Sequence, residues 1–338
     1  MSKDLRDAVV VITGASSGIG RATALEFARE GAKLVLGARR KALLKDLAAE
    51  CEELGAEAIA VETDVSNEKS VEKIAQSAVR EFGRIDVWVN DAGVATYGRF
   101  EEIPLTEHRK VIETNLLGTM YGSSAALRQF RKQHEGLLIN VSSVVATQPV
   151  PYEASYVASK FAIRGLDKTL RQELHANREH DIRVCTVMPA SIDTPFFHHA
   201  ANHTGHPVQP IPPIYSAERV AETIVDLAHN PREEAIVGSI GKALAMQHKV
   251  APTATDRLVA RRYHSIQMEQ REKAREDSGS LFKPNSRNGD ISGGFKHSGE
   301  WLHRGLGTAI ALAAPVAAGL LLRQRRRSMG RQPQEQAA

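Results

Sequence analysis

The sequence predicts an α/β fold with a doubly wound parallel sheet, followed by a basic C-terminal extension. Over residues 1–238, short apolar runs alternate with longer segments of helical periodicity, which is typical of strands joined by helices in one parallel sheet. Residues 1–238 carry 27 Lys and Arg against 32 Asp and Glu, whereas residues 239–338 carry 17 against 8. The net charge therefore changes from negative to positive along the chain, which indicates a domain boundary near residue 239.

The predicted strands are apolar runs without polar alternation, the pattern of strands buried on both faces. In chain order they are 8–13, 33–38, 56–61, 86–90, 137–141, 183–188 and 234–238. Helical periodicity marks 19–31, 40–54, 67–82 and 216–229, with Ser216 as the expected N-cap of the last helix. In such a fold, ligands bind at the carboxyl ends of the strands.

Composition narrows the class of protein. Apolar residues make up 42% of the chain and charged residues 25%, as in ordinary soluble globular proteins. Cys51 and Cys185 show no metal or redox spacing, so we expect a reduced compartment and no disulfide framework. The polar N-terminus has no signal-peptide pattern, and we expect a cytoplasmic protein.

A glycine-rich turn follows the first predicted strand. T-G-A-S-S-G-I-G (13–20) places Gly14, Gly18 and Gly20 where the backbone can turn tightly and approach a ligand. The amides at the start of the next helix would face the same point, which suits a pyrophosphate. The alternative is a turn whose glycines serve packing alone. No G-K-[ST] follows, which argues against a nucleoside triphosphate loop.

The second predicted strand leads into Arg39 and Arg40. An acidic residue near this point would hydrogen-bond the ribose diol of NAD, whereas a basic residue accommodates the extra phosphate of NADP. The alternative is that both arginines simply lie in solvent at the start of a helix. However, an arginine in the first turn of a helix interacts unfavourably with the helix dipole. The pair therefore predicts NADP(H) as the cofactor.

Tyr156 and Lys160 lie four residues apart in Y-V-A-S-K, a segment with helical character. Residues at this spacing share one helix face. A lysine beside a tyrosine favours the phenolate, so we expect Lys160 to lower the pKa of Tyr156 and to make it usable for proton transfer near neutral pH. A surface tyrosine beside a solvated lysine is the alternative.

Together these motifs resemble the classical branch of the short-chain dehydrogenase/reductase family over about the first 240 residues. Further motifs occur in the family's order: D-V at 64–65, N-D-A-G at 90–93, Asn115 in E-T-N-L-L-G, I-N-V-S-S at 139–143 and M-P-A-S-I-D-T at 188–194. The resemblance implies a Rossmann-type NADP-binding catalytic domain over 1–238, in a homodimer or homotetramer. It also implies hydride transfer between the cofactor and a small-molecule carbonyl or primary or secondary alcohol.

The same resemblance implies the site residues and their roles. Tyr156 would be the general acid/base, Lys160 would hold the ribose hydroxyls, Ser143 would hydrogen-bond the carbonyl oxygen, and Asn115 would hold a water that links Lys160 to solvent. The implied cofactor contacts are Gly14, Ser16, Ser17, Gly18, Ile19, Gly20, Arg39, Arg40, Asp64, Val65, Asn90, Ala92, Gly93, Tyr156, Lys160, Pro189, Ile192 and Thr194.

Family spacing selects Ser143 over Ser142 as the catalytic serine, and strand alternation lets only one of the two face the site. Asp91 replaces the second asparagine of N-N-A-G, and Ala190 replaces the glycine of P-G. We expect neither departure to affect the proton-transfer groups. Ser17 stands where many NADP-dependent members have a basic residue, which leaves the phosphate to Arg39, Arg40 and Ser16.

The segment 195–215 is long and rich in Pro and His, as lids and substrate loops often are. His199 and His203 form H-x-x-x-H, but no acidic or cysteine partner completes a metal set. We expect no metal site, solvent-facing histidines, and an apolar substrate pocket lined by Phe196 and Phe197.

The extension divides into a helical basic part (239–276), a flexible loop (277–305) and an apolar segment with a basic end (306–338). The uncharged run 306–322 has 17 residues, the lower limit for a membrane span. The arginines after it would place the catalytic domain on the far side of a membrane. A membrane-surface anchor over 306–327 and docking on a partner subunit both avoid this conflict. Without a recognition motif, nucleic acid is not an expected partner.

Two other functions stay open beside a carbonyl reductase or alcohol dehydrogenase. A non-catalytic dinucleotide-binding scaffold would not need Ser143, Tyr156, Lys160 and Asn115 together. An epimerase or dehydratase on the same fold usually has a different glycine spacing. The substrate is not identifiable from the sequence, because fold and cofactor do not name it.

Overall fold

The structure, a computed structural model, describes residues 4–238, 246–248, 250–284 and 289–295. Its strands are β1 (Val9–Thr13), β2 (Lys33–Ala38), β3 (Glu57–Glu62), β4 (Val87–Asn90), β5 (Thr96–Tyr97), β6 (Gly136–Val141), β7 (Ile182–Pro189), β8 (Ile192–Asp193), β9 (Ala201–Asn202), β10 (Tyr215–Ser216) and β11 (Glu234–Val237). The seven longer strands form one parallel sheet in the order β11-β7-β6-β4-β1-β2-β3. The predicted fold class is confirmed.

Helices cover both faces of this sheet. They are α1 (Gly18–Arg29), α2 (Lys41–Glu53), α3 (Glu68–Phe82), α4 (Leu105–Ile112), α5 (Gly118–Gln133), α6 (Ala154–Ala176), α7 (Phe196–His199), α8 (Ala217–His229) and a C-terminal helix (Pro252–Met268). Ser216 occupies the N-cap position of α8, but its side chain makes no capping hydrogen bond within the described part of the chain. The predicted N-cap position is confirmed.

The strands of the sheet contribute side chains to two hydrophobic cores, one on each face. In β1, Val10 and Ile12 pack with buried residues of α1, α2 and α8, whereas Val9 and Val11 pack with residues of α3 and α5. Because successive side chains point to opposite faces, both sets must be apolar. This explains the unbroken apolar runs in the sequence.

The strand order reverses between β1 and β4, which creates a crevice at their carboxyl ends. Thr13 pairs with Asn90 in the register of these two strands, so the glycine turn lies beside the N-D-A-G segment. A Cβ on Gly14 would lie 2.7 Å from the Ala92 nitrogen, and Gly14 has a φ of +81°. Only glycine fits this close approach without strain.

Two helical glycines offer a matched test of this packing. A Cβ at Gly122 in α5 would lie 2.1 Å from Asn90 Oδ1, whereas a Cβ at Gly165 in α6 would meet nothing within 4 Å. We expect Gly122→Ala to lower the free energy of unfolding by about 1–3 kcal/mol through overpacking. Gly165→Ala should raise it by about 0.5–1 kcal/mol. Urea unfolding of both variants measures this, and equal effects would contradict the described packing.

Candidate active site

A cavity of about 360 Å³ lies at the carboxyl ends of the central strands. Most residues that the sequence marks for the site line it: Gly14, Ser16, Ser17, Gly18, Ile19, Arg39, Arg40, Asp64, Val65, Ala92, Gly93, Ser143, Tyr156, Lys160, Pro189, Ile192 and Thr194. Three others, Gly20, Asn90 and Asn115, are not among the lining residues.

Asn90 forms side-chain hydrogen bonds within the sheet beneath the cavity. Its Oδ1 accepts a hydrogen bond from Trp88 Nε1 at 2.8 Å, and its Nδ2 donates to Asn140 Oδ1 at 2.8 Å. Both bonds are buried, and the second joins the end of β4 to β6. Asn90 is not among the residues that line the cavity, and its predicted cofactor contact stays a prediction. A Cβ on Gly20 would lie 2.5 Å from the Gly14 carbonyl oxygen, so glycine is required for this tight turn, and its predicted cofactor contact stays a prediction.

Asn115 lies in a π-helical turn, Glu113–Leu117, between α4 and α5. Such widened turns often occur at functional sites. The Asn115 side chain accepts from the Val94 amide at 2.8 Å and donates to the Val94 carbonyl at 2.9 Å and to Ser159 Oγ at 3.1 Å. It thus ties the segment after β4 to α6, the helix that carries Tyr156 and Lys160. Its predicted role in holding a water stays a prediction.

Ser143 and Ser142 face different elements. Ser143 is hydrogen-bonded to the Tyr156 hydroxyl, and its Oγ also lies 3.4 Å from the Pro189 carbonyl oxygen. Ser142 Oγ donates instead to the main-chain carbonyl of Lys160 at 2.9 Å. The geometry therefore puts Ser143 beside the tyrosine, while Ser142 fastens β6 to α6.

The Tyr156 hydroxyl is held in its neutral form. Burial raises the pKa of this phenol, and the neighbouring Glu153 carboxyl raises it further, although the hydrogen bond with Ser143 opposes both. Lys160 Nζ lies 5.5 Å from the centre of the tyrosine ring, yet the pKa of Tyr156 is raised. The expectation of a lowered pKa for Tyr156 was therefore wrong. The phenol carries its proton at neutral pH.

Lys160 and Asp91 are groups of opposite charge that influence each other's pKa. Lys160 Nζ donates to the Val141 carbonyl at 2.8 Å. Burial lowers the pKa of Lys160 to about 8, and the charge of Asp91 opposes this. Burial also raises the pKa of the Asp91 carboxyl, which accepts a hydrogen bond from the Gly20 amide. The expectation that Asp91 leaves the proton-transfer groups untouched was wrong, because its carboxylate favours the charged form of Lys160.

Glu153 and Tyr97 add a polar pair that sequence reasoning missed. Both side chains are buried and line the cavity, and the Tyr97 hydroxyl is hydrogen-bonded to the Glu153 carboxyl. Burial raises the pKa of Glu153 to about 8, so the group is mostly protonated at neutral pH. Nothing in P-Y-E-A-S distinguishes this glutamate from an exposed one, so the sequence offered no signal.

The two arginines after β2 have different partners. Arg40 donates to Ser16 Oγ at 2.9 Å and to Ser17 Oγ at 2.8 Å. Arg39 donates to the main-chain carbonyls of Ser280 at 2.7 Å and Leu281 at 3.1 Å. Both arginines line the cavity. Arg40 thus groups with the glycine turn and Arg39 with the C-terminal extension.

These residues fit a nicotinamide dinucleotide. The glycines of the turn leave room that any Cβ would fill. The hydroxyl of Ser17, at the N-cap of α1, accepts from Arg40, so the first-turn amides of α1 are not capped by that side chain. Arg40 and the hydroxyl groups of Ser16 and Ser17 lie next to the N-terminus of α1, and such a group is suited to bind phosphate. The fit covers the pyrophosphate and the adenosine end of such a cofactor.

The segment 195–215 forms one side of the cavity, with Phe196 and Phe197 in its wall as expected. The C-terminal helix contributes Val259 and Tyr263, which the sequence did not indicate. The histidines are only partly solvent-facing: His203 Nε2 lies 2.9 Å from Glu107 Oε2, and His206 is buried. That expectation was wrong for these two. Within the described residues no cluster of potential metal ligands occurs.

Among the described residues, no helix combines the length and apolar character that crossing a membrane requires. The apolar run 306–322 and the basic end of the chain lie outside the described residues, so the predicted membrane-surface contact over 306–327 stays a prediction.

A dinucleotide cleft with serine, tyrosine and lysine at its inner end defines an oxidoreductase of the Rossmann type. The chain belongs to the short-chain dehydrogenase family, whose family model matches residues 8–204. It is 38% identical over 279 residues to the uncharacterized oxidoreductase YxnA of Bacillus subtilis (strain 168), which covers 82% of this chain and 78% of that protein. This match is longer than residues 1–238, so it reaches into the C-terminal extension.

Two solved structures resemble the fold. An alcohol dehydrogenase from the archaeon Thermococcus sibiricus, complexed with 5-hydroxy-NADP, has a TM-score of 0.60 and 33% identity, over 69% of this chain and 97% of its own. A short-chain type dehydrogenase/reductase from Mycobacterium marinum has a TM-score of 0.61 and 26% identity, over 69% of this chain and 95% of its own. Almost the full length of each of these two chains aligns with this protein. A substantial part of this chain therefore lies outside both alignments.

Proposed function

We propose that the protein is an NADP(H)-dependent oxidoreductase that interconverts a carbonyl compound and its primary or secondary alcohol. One observation carries this proposal: a single cavity joins Ser143, Tyr156 and Lys160 at one end to Arg40, Ser16 and Ser17 at the other. The first group suits proton transfer to a carbonyl oxygen, and the second suits the extra phosphate of NADP. The 5-hydroxy-NADP bound by the Thermococcus sibiricus relative supports the choice of cofactor.

Each side chain has a defined task in this proposal. The nicotinamide cofactor, when bound, supplies or accepts the hydride. Ser143 donates a hydrogen bond to the substrate oxygen and holds it beside the Tyr156 hydroxyl. Tyr156, neutral at physiological pH, gives its proton to that oxygen during reduction and takes it back during oxidation. Lys160 supplies positive charge that stabilises the phenolate left behind.

The neutral tyrosine favours carbonyl reduction as the working direction. Apolar residues pack with Tyr156, among them Val94, Ala95, Phe196 and Phe197, and these four also line the cavity, so we infer a substrate with an apolar body. A non-catalytic scaffold is the weaker alternative, because binding alone does not require the hydrogen-bonded pair of Ser143 and Tyr156. Assembly into a homodimer or homotetramer stays a prediction.

The proposed function is tested with purified protein, NADPH or NADH, and a panel of aldehydes and ketones with apolar substituents. We expect consumption of NADPH that depends on the carbonyl compound, and slower consumption of NADH. The absorbance of the reduced nicotinamide measures both rates. No turnover with either cofactor, in either direction, would contradict the proposal.

Asp91→Asn is expected to change the pH dependence of the reaction. The substitution removes the carboxylate that favours the charged form of Lys160, so the pKa of Lys160 should fall below its present lowered value. Lys160 then loses its charge at lower pH, and the alkaline limb of kcat/KM for reduction should move down by about one pH unit. An unchanged alkaline limb, measured against the wild type over the same buffers, would show that Asp91 does not control Lys160.

A further inference from the structure

Part of the C-terminal extension packs against the cofactor end of the cavity. We call residues 277–284 and 289–295 the strap. Its first residue, Asp277, pairs with Asn202 of β9 through two main-chain hydrogen bonds of 2.8 and 3.1 Å. Ser280 then donates its amide to the His199 carbonyl at 2.8 Å. The strap thus begins on the segment that forms the substrate side of the cavity.

The strap next reaches the arginine end of the cavity. The carbonyls of Ser280 and Leu281 accept the two hydrogen bonds from Arg39. The Leu281 side chain is fully buried and packs in one cluster with Val94 and Ala201. Ser280 and Pro284 themselves line the cavity. This part of the strap is therefore a piece of the cavity wall.

The second half of the strap lies on the glycine turn. The Asp290 carbonyl accepts a hydrogen bond from the Gly18 amide at 3.0 Å. A Cβ on Gly289 would lie 2.7 Å from the Ser16 carbonyl oxygen, so the two backbones are in close contact. Gly18 is the first residue of α1, where a helix favours an anion. This half of the strap therefore lies directly against the turn that would hold the pyrophosphate.

The strap ends on the loop after β7. The Asp193 carboxylate accepts hydrogen bonds from Ser292 Oγ at 2.6 Å, from the Gly293 amide at 3.0 Å and from the Phe295 amide at 2.9 Å. A Cβ on Gly293 would lie 2.3 Å from the Thr194 carbonyl oxygen. The Phe295 ring stacks on His198 with centroids 4.7 Å apart. Thr194 is one of the cofactor contacts that the family resemblance implies, in the stretch that would lie against the nicotinamide.

One segment therefore touches the three loops that would hold the adenosine phosphate, the pyrophosphate and the nicotinamide. Within the described residues, none of its hydrogen bonds is with a strand of the seven-stranded sheet, so it can separate from the body without unfolding that sheet. We propose that the strap closes over the bound dinucleotide and must open for the cofactor to exchange. The strap then sets the rate of cofactor release. This inference rests on the proposed function.

Gly293→Ala is the test variant, because its methyl group would collide with the Thr194 main chain and lift the strap. Gly165→Ala is the matched control, since its methyl group meets nothing within 4 Å. NADPH release is followed by stopped-flow fluorescence after the loaded protein is mixed with excess NADP⁺. We expect release to be about tenfold faster or more in Gly293→Ala, the effect of losing about 1.4 kcal/mol of closure, and unchanged in the control.

Ser292→Ala provides a gentler variant that removes one hydrogen bond to Asp193, and it should accelerate release by a smaller factor. Hydrogen exchange gives an independent readout: amides of 277–284 and 289–295 should exchange more slowly when the wild type is saturated with NADPH. Unchanged release in both strap variants, or unchanged exchange, overturns the strap proposal and leaves the proposed function standing. If the wild type binds neither NADPH nor NADH, the proposed function fails and the strap proposal fails with it.

Discussion

Tyr156→Phe is expected to lower kcat/KM for carbonyl reduction by about 10²–10⁴-fold, the range for loss of a general acid. The substitution keeps the ring, which packs 5.5 Å from the Phe196 ring between centroids, and removes the hydroxyl that is hydrogen-bonded to Ser143. NADPH affinity should change little, because the cavity keeps its shape. Steady-state kinetics and a fluorescence titration on the same preparation measure the two effects.

Tyr152→Phe is the matched control for this variant. Tyr152 lies just before α6 and outside the cavity wall, and its hydroxyl is 2.7 Å from His264 Nδ1. Its loss should leave kcat/KM within about twofold of the wild type, as for a residue without a role in proton transfer. If both tyrosine variants behaved alike, Tyr156 would not be the general acid.

Arg40→Ala is expected to weaken NADPH binding by about 10–100-fold while NADH binding changes little. Arg40, Ser16 and Ser17 form the cationic group beside the glycine turn. A hydrogen bond to a charged group contributes about 1.5–3 kcal/mol, which is roughly one to two powers of ten in affinity. Only NADPH carries the extra phosphate, so the effect should separate the two cofactors. Titration of each cofactor into wild type and variant measures this.

Arg39→Ala is the comparison variant for Arg40→Ala. Arg39 is the residue next to Arg40 in the sequence, but it donates its hydrogen bonds to the strap carbonyls. It should affect NADPH and NADH by similar factors, since it acts through the strap that encloses either cofactor. A selective loss of NADPH binding in Arg39→Ala, with Arg40→Ala unaffected, would reverse the assignment of the two arginines.

The sheet was predictable because its signals are local. A strand buried on both faces requires consecutive apolar residues, so each run in the sequence marks a strand of the sheet to within one residue at either end. The turn at 13–20 was also predictable, because glycines between an apolar strand and a helix allow the tight turn and close approach that this position requires. The strand order follows from the crossover connections of a doubly wound sheet.

The electrostatics of the site were not predictable from spacing. Y-x-x-x-K shows that Tyr156 and Lys160 share a helix face, but it does not show how deeply they are buried. Burial dominates the pKa of both groups. Asp91 and Glu153 reach these groups from the end of β4 and from the turn before α6, and their charges could be assigned only after the fold was known.

The strap was not predictable either. Residues 277–295 are rich in Gly, Ser and Asn, a composition typical of flexible loops. Their contacts are with residues far away in the sequence, such as Arg39 and Gly18, and most involve main-chain atoms. Main-chain contacts leave almost no signature in side-chain patterns.

A fluorescence titration of the wild-type protein with NADPH and with NADH is the decisive measurement for the proposed cofactor site. We expect saturable binding of both cofactors, with NADPH bound at least about tenfold more tightly because of its extra phosphate near Arg40. Equal affinities would contradict the assignment of Arg40, Ser16 and Ser17 to the phosphate. Absence of binding by either cofactor would contradict the proposed function itself.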